Sequence, residues 1–235
     1  MARRGADDNS FSPGAGLWQD EDMEQQHTIR VEEWARPGEP FRLAAVAIGA
    51  ADWAAVLPAT AQARVARFAD GHARARAGAS EWIKTCWLPR ELGLAAVEVR
   101  TGANGKPLLE GAAAAWGFNL SHAGEYVVAA LARDAQIGVD LESTSRKADI
   151  VRLAQRVFSA CEQAAVQQGG RAAFFTLWSQ KEALVKAVGC GWADERLQRG
   201  TALAPVGFQL EPTTGARVWS RPVIDGAYCL AVAMV

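Results

Sequence analysis

Two short stretches of this chain carry side chains suited to chemistry on a phosphate. In Phe174–Gly189, which reads FFTLWSQKEALVKAVG, Glu182 and Lys186 are four residues apart. On a helix they lie side by side, an acid that can take a proton next to an ammonium that can neutralise charge. Alone, such a pair is an ordinary solvated helix ion pair. The second stretch, Gly138-Val-Asp140-Leu-Glu142, changes the weighing. Ile137, Val139 and Leu141 alternate with Gly138, Asp140 and Glu142, so the segment reads as a strand with both acids on one face. Like charges so placed repel unless a cation stands between them. A few hard oxygen ligands suit Mg²⁺, which tends to bridge carboxylates to a phosphate. The alternative is the solvated polar face of an edge strand.

These groups need elements to hold them. The apolar positions Leu177, Leu184 and Val188 form one helical stripe, flanked by Phe174 and Val185, with Glu182 and Lys186 roughly opposite. The spacing predicts this helix over 172–188, with a stop at Gly189. Upstream, Gly169-Gly170 closes another helix that starts at a capping-box pattern, Ser159-Ala-Cys-Glu162. A further helix is expected over 149–157. Tyr126–Ala132 is an apolar run, and Arg133-Asp-Ala-Gln136 is a turn. The chain then returns through Ile137 to Glu142, which predicts a hairpin whose second strand carries the acids. Before it stands Phe118-Asn-Leu-Ser121-His122-Ala-Gly124. Neighbours on a strand face opposite sides, so Ser121 and His122 do not form a nucleophile–base relay. His122 is either a hydrogen-bonded loop histidine or a phosphate contact. In the first half, Arg42–Ala50 reads as a strand, Pro58–Phe68 and His72–Trp87 as helices broken at Asp70-Gly71, and Ala95–Arg100 as a strand. Phe208–Leu210, Val218–Ser220 and Tyr228–Val235 read as closing strands.

Four segments in order carry a family likeness: Gly105-Lys106-Pro107, then F-N-L-S-H-A-G, then G-V-D-L-E, then W-S-Q-K-E-A-L-V-K-A-V-G. Together they resemble the 4′-phosphopantetheinyl transferases of the surfactin-synthetase-activating (Sfp) type, over most of the chain after about Arg42. The resemblance implies an α+β fold, two pseudo-symmetric α/β halves packed around a central cleft. It divides the chain into a disordered N-terminal extension (1–28), an N-terminal half on the coenzyme A side (29–133) and a C-terminal half bearing the metal acids and the catalytic helix (134–235). It implies Mg²⁺-dependent transfer of 4′-phosphopantetheine from coenzyme A to a serine of an apo acyl or peptidyl carrier protein, giving holo carrier and 3′,5′-ADP. Asp140, Glu142 and Glu182 match the metal-binding acids, with Mg²⁺ expected and Mn²⁺ as the alternative. Glu182 or a metal-bound water would take the serine proton, and Lys186 would neutralise the departing phosphate. Asp140, Glu182 and Lys186 are thus the expected catalytic groups. Lys106, Ser121, His122, Arg76, Arg64 and Lys181 match coenzyme A contacts. The sequence departs from the family at Thr85-Cys86, where an arginine is common and Lys84 could substitute. Two other readings are a catalytically inactive coenzyme A- or carrier-binding homologue and an unrelated Mg²⁺-dependent phosphohydrolase.

Composition agrees with this without having produced it. In 235 residues, hydrophobic side chains make up 50% and charged ones 22%, an ordinary globular balance. A net charge of −1 gives no general pull toward nucleic acid or membrane. Cys86, Cys161, Cys190 and Cys229 are scattered, which argues against a zinc site or a disulfide framework and fits a reducing cytoplasm. No apolar run reaches membrane-span length, and no secretory leader is visible after Met1-Ala-Arg-Arg. A monomer in the cytoplasm is expected.

Overall fold

The computed structural model describes residues 31–32, 38–191 and 203–235. The expected 1–28 extension lies outside the described residues. The fold is α+β, built from antiparallel sheets and flanking helices. The first sheet has the order β1-β2-β6-β5, from β1 (Val31–Glu32), β2 (Arg42–Ala47), β5 (Trp116–Ala123) and β6 (Tyr126–Arg133). Between β2 and β5 come α1 (Trp53–Val56), α2 (Ala59–Val65), α3 (Gly71–Trp82), a π turn at Ile83–Trp87, α4 (Leu88–Leu92) and a small ribbon of β3 (Val99–Thr101) and β4 (Pro107–Leu109). The second sheet has the order β7-β10-β9-β8, from β7 (Ile137–Ser143), β8 (Phe208–Glu211), β9 (Ala216–Val223) and β10 (Tyr228–Met234). Its helices are α5 (Ile150–Val157) and α6 (Ala160–Val188).

Strand alternation explains how these layers stack. In β2, Ala44 and Val46 pack with Trp53, Leu57, Ile83 and Leu88 of the first helices. Their neighbours Leu43 and Ala45 pack instead with Val139, Leu141, Leu230 and Val232 of the second sheet. On β10, Cys229, Ala231 and Ala233 turn the other way, onto Phe174, Phe175, Leu177 and Leu184 of α6. The order of layers is therefore helices, sheet, sheet, helices, with a shared apolar core between the two sheets.

The expected hairpin of 126–132 with 137–142 does not form. β6 pairs with β2 and β5, whereas β7 pairs with β10. The hairpin instead joins β5 to β6 through Gly124 and Glu125, and the chain changes sheet at Arg133–Gln136. Local turn signals mark both corners equally, and the burial of both β6 faces decides between them. The edges β5 and β7 still adjoin, bridged by side chains: Asn119 accepts from the Val139 N–H at 3.0 Å, and Ser121 accepts from the Leu141 N–H at 3.3 Å.

Glycine sets the last two features. α6 continues through the predicted stop, bending at Gly170 (φ 60°, ψ −141°), a conformation that a Cβ would oppose. Its start carries the expected capping box, with Glu162 accepting from the Ser159 N–H at 2.8 Å. Further along, α6 crosses β7 at Gly138, where an added Cβ would stand 2.0 Å from the Ala183 carbonyl oxygen and 2.5 Å from the Ala187 nitrogen. That close approach presses the 183–187 segment of α6 onto the strand bearing the acids.

Candidate active site

Strand alternation turns Asp140 and Glu142 toward α6, on the same face as Gly138. Asp140 is buried at 4% exposure. Its Oδ1 accepts from the Lys186 ammonium at 2.7 Å and from the Ser121 hydroxyl at 3.0 Å, while its Oδ2 is buried with no hydrogen-bond partner. Burial pushes this carboxyl above the ordinary aspartate value, and Lys186, Ser121 and the Leu141 N–H only partly offset it. Lys186 also donates to Ser121 Oγ at 3.1 Å and to the Val139 carbonyl at 3.0 Å. All three of its N–H donors have acceptors on the chain. Its partner in the structure is Asp140, across the helix–strand seam, and the ordinary helix-surface reading gives way to this contact.

Glu142 lies further along the same face. Both its oxygens accept from Arg146 Nη1 at 2.9 Å. Burial and the charge of Asp140 push its carboxyl up, while Arg146 and the Trp178 indole draw it back. Trp178, Glu182 and Lys186 recur at intervals of four along α6 and so share one stripe. Trp178 meets Glu142 at one end and Lys186 meets Asp140 at the other. Glu182, half-buried, stands between them on the helix.

The fit of these acids to a divalent metal rests on the orphaned Asp140 Oδ2. Oxygen donors of this kind suit Mg²⁺. Among the described residues, no three His, Cys, Asp or Glu side chains already converge on one point. Lys186 and Arg146 supply the counter-charge instead.

Beyond Lys186 opens a cleft of about 700 Å³ between the two sheets' helices and the β3–β4 ribbon. Arg64, Lys84, Lys106 and Lys186 bring cations to its lining, with Glu81 as the acid among them. Arg64 donates to Glu81 at 2.9 and 2.5 Å, and Lys84 at 2.6 Å. Burial raises the Glu81 carboxyl, but the bonds and charges of Lys84 and Arg64 outweigh it and hold the group below the ordinary glutamate value. Lys106 reaches across the cleft to the Ala187 carbonyl at 2.6 Å, beside Asn104 on the Gly189 carbonyl at 2.9 Å. A cation and an amide thus cap the C-terminus of α6, where the dipole favours positive charge. Burial lowers the Lys106 pKa.

The sequence-predicted contacts separate into groups. Arg64, Lys106 and Lys186 line the cleft together. Ser121 is buried within the Asp140–Lys186 network and donates to a carboxylate, so its hydroxyl is engaged there. His122 is exposed on the opposite face of β5, close enough to Arg76 that the guanidinium, after desolvation, lowers its pKa. Neither Arg76 nor His122 is in the cleft lining. Lys181 is not brought to the cleft. It is fully buried against Glu162 at 3.1 Å, with desolvation pushing its pKa down. Breaking a buried ion pair by removing one partner costs about 3–5 kcal/mol as a rule. Its angular place near the apolar stripe carried that outcome. Sequence reasoning missed Glu81, Arg146 and Trp178 as members of the site. Glu81–Lys84, Glu142–Arg146 and Trp178–Glu182 each had helix-like i,i+3 or i,i+4 spacing, but only tertiary packing decides which such pairs matter.

Known proteins resemble the chain along these segments. Residues 136–232 match the family described as the 4′-phosphopantetheinyl transferase superfamily. The 4′-phosphopantetheinyl transferase HetI of Nostoc is 32% identical over 179 residues, covering 73% of this chain and 72% of the relative. The 4′-phosphopantetheinyl transferase psf-1 of Bacillus pumilus is 42% identical over 97 residues, 39% of each chain. The 4′-phosphopantetheinyl transferase AcpT of Salmonella typhimurium is 35% identical over 96 residues, 39% of this chain and 50% of that one. The chain thus spans two fifths to half the length of these last two relatives in the matched region.

Proposed function

The chain belongs to the 4′-phosphopantetheinyl transferase superfamily, and we propose that it transfers 4′-phosphopantetheine from coenzyme A to a serine of an apo acyl or peptidyl carrier protein, releasing 3′,5′-ADP. The observation that carries this reading is Lys186, which lines a cation-rich cleft on one side and bonds Asp140 on the other. A polyanionic nucleotide would enter the cleft against Arg64, Lys84 and Lys106. Its pyrophosphate would then reach Lys186 at the edge of the acidic seam. Asp140, Glu142 and Glu182 would hold magnesium, or manganese, which would supply positive charge to the pyrophosphate. The serine oxygen bonds to the β-phosphorus while the bond from that phosphorus to the 3′,5′-ADP oxygen breaks. Glu182 accepts the serine proton, and Lys186 offsets charge on the departing phosphate. Because the ammonium already bonds three protein acceptors, it acts mainly through charge.

We further propose the pseudo-symmetric reading of the two halves, divided near Arg133, for which two antiparallel four-stranded sheets with outer helices speak. No helix among the described residues is long and apolar enough to cross a membrane, and we assign the reaction to a monomer in the cytoplasm. The test is intact mass of several purified apo carriers after incubation with the protein, coenzyme A and Mg²⁺. A gain of one phosphopantetheine group, with equimolar 3′,5′-ADP, is expected. No gain on any carrier with coenzyme A still bound would favour an inactive binding homologue, and phosphate release without acceptor would favour a phosphohydrolase.

A further inference from the structure

The two strand acids are neutralised differently. Lys186 occupies one oxygen of Asp140 and leaves Oδ2 without a partner. One oxygen of Asp140 therefore keeps its capacity for a further bond with Lys186 in place. Glu142 differs, since Arg146 Nη1 stands 2.9 Å from both of its oxygens and so fills the bidentate position between them. We propose that Arg146 is a built-in counter-ion of Glu142 that competes with the divalent cation and must swing off for Glu142 to ligate it. This rests on the reading of Asp140 and Glu142 as metal ligands.

The surroundings of Arg146 suit such an exchange. The Arg146 side chain is 46% exposed, whereas that of Glu142 is 12% exposed, so the guanidinium can return to water while the carboxylate stays in place. Its backbone is held independently, because Arg171 donates to the Arg146 carbonyl at 2.6 Å and to that of Thr144 at 3.1 Å. Departure is therefore a side-chain rotation and not a loop movement. The Trp178 ring, 6.0 Å from the guanidinium, offers a cation–π resting place beside the vacated carboxylate. Direct competition predicts that metal affinity is set partly by a residue that is not a ligand. An ion pair whose cation is this exposed is open to displacement by a competing cation.

The experiment titrates Mn²⁺ alone into the full chain, reading free aqua ion by electron paramagnetic resonance. The proteins are the wild type, Arg146→Ala and Arg152→Ala. Arg152 is an exposed α5 arginine and serves as a charge-matched control. Arg146→Ala should bind Mn²⁺ about three- to tenfold more tightly, and Arg152→Ala should match the wild type. Equal or weaker binding by Arg146→Ala, with wild-type binding intact, overturns the counter-ion role and leaves the metal reading standing. Equal tightening by both variants overturns it too, since bulk charge would then suffice. Absence of Mn²⁺ binding in both wild type and Arg146→Ala overturns the metal reading itself, and the proposal with it.

Discussion

At the residue scale, the two lysines of the cleft would have different work in the proposed reaction. Lys186 would face the developing charge, so Lys186→Ala should lower kcat by about 10² or more with a smaller change in KM. Lys106 grips the end of α6 and faces the cleft from the ribbon. Lys106→Ala should mainly raise KM for coenzyme A, with a modest loss of stability from the lost helix-end cation, about 0.3–1 kcal/mol, read as a lower melting temperature. Steady-state kinetics at saturating carrier separates the two, and the reverse pattern would exchange their roles. Glu81 gives a pH prediction. Its carboxyl is held below the ordinary glutamate value by Lys84 and Arg64. Its contribution to stability is therefore present above that ordinary value and is lost as pH falls through the lower folded value. Glu81→Gln should cost about 1–2 kcal/mol at neutral pH, allowing for the exposure of Arg64. Melting curves of the two proteins should converge in acid. A gap that stays constant down to acid pH would mean that Glu81 acts by packing and not by charge.

At the element scale, the seam between β7 and α6 is the device on which the site depends. No side chain fits at Gly138, because a Cβ there would meet helix backbone at 2.0 Å. The helix must move or the strand must bend, and backbone cannot yield as a flexible side chain can. Gly138→Ala should destabilise by about 1–3 kcal/mol as an overpacked core substitution. It should also separate Lys186 from Asp140, so turnover should fall well beyond what the remaining folded fraction explains. The check is specific activity per folded molecule, with folding followed by circular dichroism. Normal stability and normal turnover would show that the seam tolerates a wider spacing than the geometry implies. The buried Lys181–Glu162 pair serves the same seam from the far side of α6, tying the helix to its own first turn and, through the Leu203 N–H on Glu162 at 3.1 Å, to the returning chain.

At the scale of the whole molecule, the cleft exists because two sheets share a core while each keeps its helices outside. The cationic wall comes from α2, the π turn at Ile83–Trp87 and the ribbon, and the acidic seam from β7 and α6. Neither part alone could place a nucleotide's phosphates beside carboxylates. If the acids hold a metal there, chelation of the wild type should abolish carrier modification, and added Mg²⁺ should restore it, with the coenzyme A-dependent mass gain as readout. Full activity in excess chelator would remove the metal from the reaction.

The sequence by itself determined much of the local structure around the candidate residues. Strand alternation put Asp140 and Glu142 on one face, four-residue spacing put Glu182 and Lys186 on one helix stripe, and the Ser159–Glu162 capping box marked the start of α6. These are short-range periodicities, written in neighbouring residues. Only the tertiary structure decided which sheet each strand joined, since β6 and β7 are consecutive in the chain yet belong to different sheets. It also decided that Lys186 pairs with Asp140, that Lys181 is buried against Glu162, that Lys106 caps α6 and that Arg146 covers Glu142. A lysine's spacing does not say where its long stem will lead. Its partner is chosen by the desolvation and packing of elements far apart in sequence, and those forces exist only once the layers have closed.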